Sequence, residues 1–166
     1  MRIWIKYSVM FFSLLLVQVL LLNYVQFNGY INPYIYILFI MLLPISTPRD
    51  ILLLLGFLMG LSVDIFSDTL GIHAASSVFL AFIRPYVIDL ISARETDKSN
   101  YPGLKQYGFR WFLYYTVFLV VAHHLFFFYL EVFTLKGFIY TFFRSILSSV
   151  FSIFIIVLSQ YLVFSE

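Results

Sequence analysis

The chain has 166 residues, of which 63% are hydrophobic and only 11% carry a charge. A soluble domain of this length could not bury so much apolar surface, so the composition excludes that class and indicates an integral membrane protein. The sequence contains no cysteine, which excludes disulfides and thiolate metal sites. The net charge of +2 says little about the function by itself, and the distribution of the charges is more informative.

Six apolar stretches are candidates to cross a bilayer, which takes about 20 apolar residues in a helix. The predicted spans cover 7–24, 33–47, 51–66, 71–91, 109–130 and 138–164. The second is short, with Pro33 at its start and Pro44 near its end, so we expect a tilted or irregular span there. A polar loop over 92–108 separates the fourth span from the fifth. The sequence therefore predicts a single all-α, polytopic transmembrane domain over 1–166.

The basic residues predict the orientation of these spans. The first apolar run lacks the small-x-small pattern of a signal-peptide cleavage site, so we expect an uncleaved helix. With the N-terminus in the cytoplasm, every lysine and arginine of the loops except Lys136 faces the cytoplasm. This positive-inside bias agrees with an even number of spans and places both termini in the cytoplasm.

The third predicted span carries the most informative pattern. Gly56, Gly60, Asp64 and Asp68 are spaced by four residues and fall on one stripe of a helix. We expect the glycines to pack closely against a small-residue face of the fourth span, which begins at Gly71. The sixth span carries a second small-residue packing face, formed by Ser145, Ser148, Ser149 and Ser152.

Asp64 would lie near the outer end of its span, where a charge costs less than the roughly 2.5–3.5 kcal/mol at the centre of a membrane helix. It could be an interfacial carboxylate or a cap of the next helix, a buried anchor facing a cation or hydroxyl, or a carrier of protons or substrate. Arg144 lies at a similar depth in the sixth span, so we predict an Asp64–Arg144 bridge. Asp68 is expected in a turn, where it caps the N-terminus of the fourth helix.

Arg84 lies inside the fourth span and precedes Pro85. The favoured interpretation is a side chain that snorkels to the cytoplasmic interface, and the alternative is a buried ion pair. Asp89 has poor helical spacing for that pair. Asp64 lies on the neighbouring helix, but its depth in the membrane differs from that of Arg84 by roughly 10 Å. A bridge between Asp64 and Arg84 would therefore need strongly offset helices.

The sequence offers no convincing catalytic or metal site. His123 and His124 are adjacent and point to different faces of a helix, whereas two metal ligands on one helix need i,i+4 spacing. Glu131 is about two turns further on, so we interpret the histidines as packing or interfacial residues. No serine has a His–Asp constellation, and no glycine-rich phosphate loop occurs. We predict no catalytic residue, no cofactor, no metal and no nucleic-acid partner.

The stretch Gly56-Phe57-Leu58-Met59-Gly60-Leu61-Ser62-Val63-Asp64-Ile65-Phe66-Ser67, followed by Leu70-Gly71, resembles the signature of the MreD family of rod shape-determining membrane proteins. The motif resemblance covers about 48–85, and the layout resembles the family over nearly the whole chain. Two features depart from the family. Asp68 stands where a glycine is common, and the basic C-terminal tail is reduced to Ser165-Glu166.

The resemblance implies a non-enzymatic subunit of the cell-elongation complex in the bacterial cytoplasmic (inner) membrane, with a fold similar to the S-components of energy-coupling-factor transporters. The implied function is to scaffold sidewall peptidoglycan synthesis and rod shape by helix packing with a single-span MreC-like partner. MreB, RodA and its partner transpeptidase are further candidate partners, and the lipid bilayer is the expected surroundings. The residues assigned to structural or partner packing are Gly56, Gly60, Asp64, Gly71, Arg84 and Arg144.

The alternative function is a small-molecule-binding, S-component-like subunit of a membrane transporter. Such a subunit needs an outward pocket with several convergent polar groups. The short outer loops and the few polar side chains expected to converge there count against this alternative.

Overall fold

The computed structural model describes residues 2–25, 31–92, 99–133 and 136–162. Most of these residues are helical, and five of the helices are long and apolar enough to cross a membrane. The helices are α1 (Arg2–Leu20), the short α2 (Ile37–Leu42), α3 (Arg49–Ser67), α4 (Ile72–Ser92), α5 (Leu104–Val132) and α6 (Phe138–Leu162). The predicted class, a polytopic all-α membrane protein, is confirmed.

The predicted start of the fifth span lies at a break inside α5. Gly108 has a φ of 79° and is not helical, so it separates the first turn of α5 from the long remainder. Glycine adopts this conformation without a steric penalty, which explains the residue at the break. The polar loop predicted over 92–108 therefore includes the first turn of α5, and its residues 93–98 lie outside the described residues.

The second predicted span, 33–47, contains only the six residues of α2 in helical form. We call residues 31–46 the central segment. It begins beside Ser148 of α6 and ends beside Asn100, so it runs along the bundle from one end to the other. Residues 36–41 are at most 2% exposed. Non-helical backbone at membrane depth is tolerated where protein buries it, so the long helices shield this irregular span from lipid.

Side chains from α1 and α6 supply the hydrogen bonds that the extended start of the central segment cannot make internally. Three of its N–H groups donate to side-chain oxygens: Asn32 to Ser148 Oγ (3.1 Å), Tyr34 to Ser152 Oγ (2.8 Å) and Ile35 to Gln18 Oε1 (2.8 Å). The serine face of α6 was expected only to provide close packing. Two of its hydroxyls instead accept backbone hydrogen bonds, which lowers the cost of burying the central segment.

The two ends of the bundle can be told apart by their contacts. At one end, which we call the Lys6 end, the Lys6 ammonium lies 5.1 Å from the Tyr101 ring centroid, and the Leu104 N–H donates to Gln160 Oε1. The start of α1 and the end of α6 are therefore at the same end, as an even number of crossings requires. The opposite end, the Asp64 end, gathers the last residues of α1, α3 and α5.

Candidate functional site

Asp64, near the end of α3, receives hydrogen bonds from the turn that follows and from the start of α4. Its Oδ1 accepts from the Thr69 hydroxyl at 2.5 Å and from the His73 N–H at 3.1 Å, and its Oδ2 accepts from the Ala74 N–H at 2.8 Å. The N–H groups in the first turn of a helix have no acceptor within the helix. Asp64 therefore caps α4, which is one of the alternatives that the sequence offered.

The predicted bridge between Asp64 and Arg144 is wrong. Arg144 donates to Glu131 Oε2 at 2.7 Å, and its guanidinium lies 4.5 Å from the ring centroid of Phe128. The Asp64 side chain is only 2% exposed, and the N–H groups of α4 and the His73 ring satisfy it. The sequence matched Asp64 and Arg144 by depth alone, which does not determine where the side chain of Arg144 points.

Asp68 ends α3 and does not cap α4 as predicted. Its φ of 53° and ψ of 43° are left-handed, and its N–H donates to the Asp64 carbonyl oxygen. A left-handed conformation is strained for most residues and free of strain for glycine. The geometry gives a physical reason why glycine would suit this position, where the MreD resemblance implies it is common.

The glycine stripe of α3 contacts the backbone of α4. A Cβ atom on Gly60 would lie 2.4 Å from the carbonyl oxygen of His73 and 2.5 Å from the Cα of Ala74. A Cβ on Gly56 would lie 3.0 Å from the carbonyl oxygen of Ser77. Gly71, in the turn between the helices, has a φ of 83°. The stripe is therefore occupied inside the chain and does not face another protein.

His73 was not singled out by the sequence reasoning, yet it lies at the centre of this cluster. Its Nδ1 is 3.0 Å from Asp64 Oδ1 and 3.1 Å from Thr69 Oγ1. Because the Thr69 hydroxyl donates its hydrogen to Asp64, Nδ1 must carry a proton and donate as well. In the neutral ring, Nε2 is then an acceptor. A histidine directly before the small-residue run Ala74-Ala75-Ser76-Ser77 was the only signal available in the sequence.

A cavity of about 360 Å³ opens at the Asp64 end, between the last turns of α1, α3 and α5 and the start of the central segment. Its polar lining residues are Asn23, Asn32, Ser67, Asp68, Thr69, His73 and Glu131. More polar side chains converge here than the sequence indicated, because they come from elements that are distant along the chain.

A buried layer of histidine and tyrosine side chains lies below the cavity. The Tyr36 hydroxyl is 2.9 Å from His123 Nε2. His124 Nδ1 donates to the Val120 carbonyl oxygen at 2.9 Å, so its Nε2 accepts from the Ser152 hydroxyl, also at 2.9 Å. Among the described residues, no group of three or more histidine, aspartate or glutamate side chains is placed to hold a metal ion. His123 and His124 thus act in packing and hydrogen bonding.

Arg84 lies in the interior, 1% exposed, so the expected snorkelling is wrong. Its Nε donates to the Tyr115 hydroxyl at 2.9 Å, and its Nη2 donates to the carbonyl oxygens of Leu43 and Met41. Within the described ranges, no carboxylate forms an ion pair with it. The carbonyls are free because α2 ends there, and a cation at the C-terminus of a helix is favourable. Arg84 therefore stabilises the irregular end of the central segment.

A second feature is an apolar groove on the outer surface between α1 and α6, with a volume of about 630 Å³. We call it the α1–α6 groove. Its walls are residues of α1 (Lys6, Val9, Met10, Ser13, Leu14, Val17) and of α6 (Ile155, Leu158, Ser159, Leu162), and its floor is Ile35 of the central segment.

The helices and the buried polar contacts define a polytopic α-helical membrane protein whose irregular second span is enclosed by five long helices. No family model, curated protein or solved structure matches the chain. The resemblance to the MreD family therefore depends on the sequence motif of α3 and α4.

Proposed function

We propose that the protein is a non-enzymatic membrane subunit of the bacterial cell-elongation complex. In this role it scaffolds sidewall peptidoglycan synthesis and the maintenance of rod shape by packing with the single span of an MreC-like partner. The sequence support is the glycine–aspartate motif over 56–71, which resembles the MreD signature. The structural support is the α1–α6 groove.

The α1–α6 groove is the observation that carries the proposal. From Lys6 to Val17 its α1 wall extends about 17 Å at 1.5 Å per residue, which is more than half of a hydrocarbon core about 30 Å thick. Ser13 and Ser159 stand on opposite walls, and small residues let a second helix approach closely. The dimensions and lining suit the membrane helix of a single-span partner.

The two charged groups inside the bundle support a structural role. Asp64 is held by N–H groups of α4, and Arg84 is held by carbonyl oxygens of the central segment. Each fixes one element against another. Such contacts make a rigid framework, which suits a scaffold better than a carrier that must alternate between states.

We further propose that the Lys6 end faces the bacterial cytoplasm, so that both termini are cytoplasmic. Arg49 begins α3, and Lys105 lies in the first turn of α5, both at the Lys6 end. Lys136 precedes α6 at the opposite end. The positive-inside rule then assigns the cavity to the outer side. In this orientation MreB would meet the Lys6 end, while RodA and its partner transpeptidase would associate laterally.

Crosslinking in cells, followed by purification in mild detergent and mass spectrometry, tests this function. Ser13→Trp and Ser159→Trp would fill the α1–α6 groove, and Phe82→Trp, at a 55% exposed position of α4, is the matched control. We expect the groove variants to lose the single-span partner and rod shape, while the control retains both. Equal recovery of the single-span partner with all three variants would contradict the docking of its helix in the α1–α6 groove. A bound vitamin and an ATPase module in place of the single-span protein would contradict the function.

A further inference from the structure

The cavity at the Asp64 end is rich in hydrogen-bond acceptors. Asp68 and Glu131 contribute carboxylates, and no lysine or arginine is among its lining residues. Arg144 donates to only one oxygen of Glu131, Oε2. His73 also lines the cavity, and the hydrogen bonds of its ring to described residues all involve Nδ1, so that Nε2 has no hydrogen-bond partner among them. A ligand that donates hydrogen bonds and carries positive charge would therefore gain most from the carboxylates and from Nε2.

Aromatic side chains form the remaining walls. Tyr24, Tyr34, Phe66 and Phe127 all line the cavity. The faces of aromatic rings attract cations, and cages of aromatic rings are a known means by which proteins bind organic ammonium groups. The aromatic walls thus favour the same ligand charge as the acceptors do.

The arrangement favours an organic molecule over a metal ion. Among the described residues, Asp68, His73 and Glu131 are not grouped closely enough to coordinate one ion. Acceptors spread over the walls of a cavity of about 360 Å³ can instead contact different parts of a small molecule. That volume falls within the range of about 300–1,000 Å³ that is common for small-molecule pockets.

We infer that this cavity binds a small organic ammonium compound, with the ammonium group held by the carboxylates, by His73 Nε2 and by the aromatic walls. The ammonium group could belong to a free amine or to the headgroup of an ammonium-bearing lipid, because Leu22 and Phe66 bring apolar surface to the same cavity. This inference is independent of the proposed scaffold function, since the cavity and the α1–α6 groove share no lining residue.

Isothermal titration of the detergent-purified protein tests the inference, with ethanolamine as the probe and ethylene glycol as the uncharged control. His73→Asn keeps an N–H donor near the position of Nδ1 for Asp64 and removes Nε2. Asp68→Asn and Glu131→Gln remove one charge each at accessible positions. Asp89→Asn, an exposed acid of α4 outside the cavity, is the matched control.

We expect saturable binding of ethanolamine to the wild type and to Asp89→Asn, and roughly three- to ten-fold weaker binding to Asp68→Asn and Glu131→Gln. His73→Asn should bind more weakly than the wild type; because it also removes a buried ring that packs on Phe127, its melting temperature is measured beside its affinity. If that variant is unstable, the two accessible variants still decide the question. No saturable binding of ethanolamine, equal binding of ethylene glycol, or unchanged affinity in both charge variants would overturn the inference.

Reconstitution into nanodiscs distinguishes the two sources of the ammonium group. If a lipid headgroup occupies the cavity, phosphatidylethanolamine nanodiscs should reduce the apparent affinity for ethanolamine relative to phosphatidylglycerol nanodiscs. If the ligand is a free amine, the two affinities should be equal. The absence of ethanolamine binding in phosphatidylglycerol nanodiscs would contradict both forms of the inference.

Discussion

Gly60→Ala tests the contact between α3 and α4 most sharply. The added Cβ would lie 2.4–2.6 Å from backbone atoms of His73 and Ala74, about 1 Å closer than the optimum for non-bonded carbon atoms. Backbone cannot rotate away as a side chain can, so the helices must separate. Overpacking of this kind typically costs about 1–3 kcal/mol. Separation would also lengthen the hydrogen bonds from α4 to Asp64, which lies one turn along the same stripe. This would raise the total loss of unfolding free energy by about 1 kcal/mol.

Gly56→Ala is the internal control for this prediction. Its Cβ would be 3.0 Å from the Ser77 carbonyl oxygen and 3.1 Å from the Ala81 Cβ, so a shift of a few tenths of an ångström relieves the contact. The better helix propensity of alanine offsets part of the remaining cost. We expect Gly60→Ala to lose about 2–4 kcal/mol of unfolding free energy and Gly56→Ala less than about 1 kcal/mol. The measurement is unfolding by SDS titration in mixed micelles. Equal stabilities of the two variants would refute the close approach at Gly60.

Three further predictions concern the charged residues, each measured by the same unfolding titration. Asp64→Ala should cost about 2–4 kcal/mol because two buried N–H groups lose their acceptor, and a double-mutant cycle with Arg144→Leu should give a coupling below about 0.5 kcal/mol. A larger coupling energy would indicate that Asp64 and Arg144 do form an ion pair. Arg84→Lys should cost about 1–3 kcal/mol, because an ammonium group lacks the planar fork that reaches both the carbonyls and Tyr115; an unchanged stability would contradict the role of Arg84. Asp68→Gly should raise the free energy of unfolding by about 0.5–1 kcal/mol, because glycine relieves the left-handed strain. A lower free energy of unfolding would contradict that strain.

The helical class could be predicted because apolar length is a local property of the sequence, whereas the predicted limits agree unevenly with the helices: the first span was expected over 7–24, and α1 covers Arg2–Leu20. The third predicted span, 51–66, differs from α3 by two residues at its start and one at its end. The close contact between the glycines and α4 could also be predicted, because spacing by four places Gly56 and Gly60 on one face of the helix. Such patterns depend only on residues that are near one another in the chain.

The contacts of the central segment could not be predicted in this way. Tyr34 and Ser152 are separated by 118 positions, and Arg84 and Leu43 by 41. The choice of a partner for each polar group depends on how the helices rotate around the segment, and the sequence pattern does not record that rotation. For the same reason Arg144 was assigned to Asp64 by depth, although its partner Glu131 lies only 13 positions away.

The cavity was missed for a related reason. Each of its walls contributes one or two polar residues that look like ordinary helix ends or turn residues in the sequence. His73 gained its role from the Asp64 carboxylate and from the turn that bends α4 back onto α3. Convergence of this kind becomes visible only when the elements are placed together in space.

Site-specific photocrosslinking in cells tests whether a partner helix docks in the α1–α6 groove, as the scaffold function requires. A photoreactive amino acid would replace Val9 or Leu158 in the α1–α6 groove, which are 59% and 43% exposed, or Phe82 on α4 as the control. We expect both groove positions to crosslink in cells to a single-span membrane protein of the elongation complex and Phe82 not to do so. Crosslinks to lipid alone from Val9 and Leu158, or the same protein captured from Phe82, would contradict the proposed docking of a partner helix.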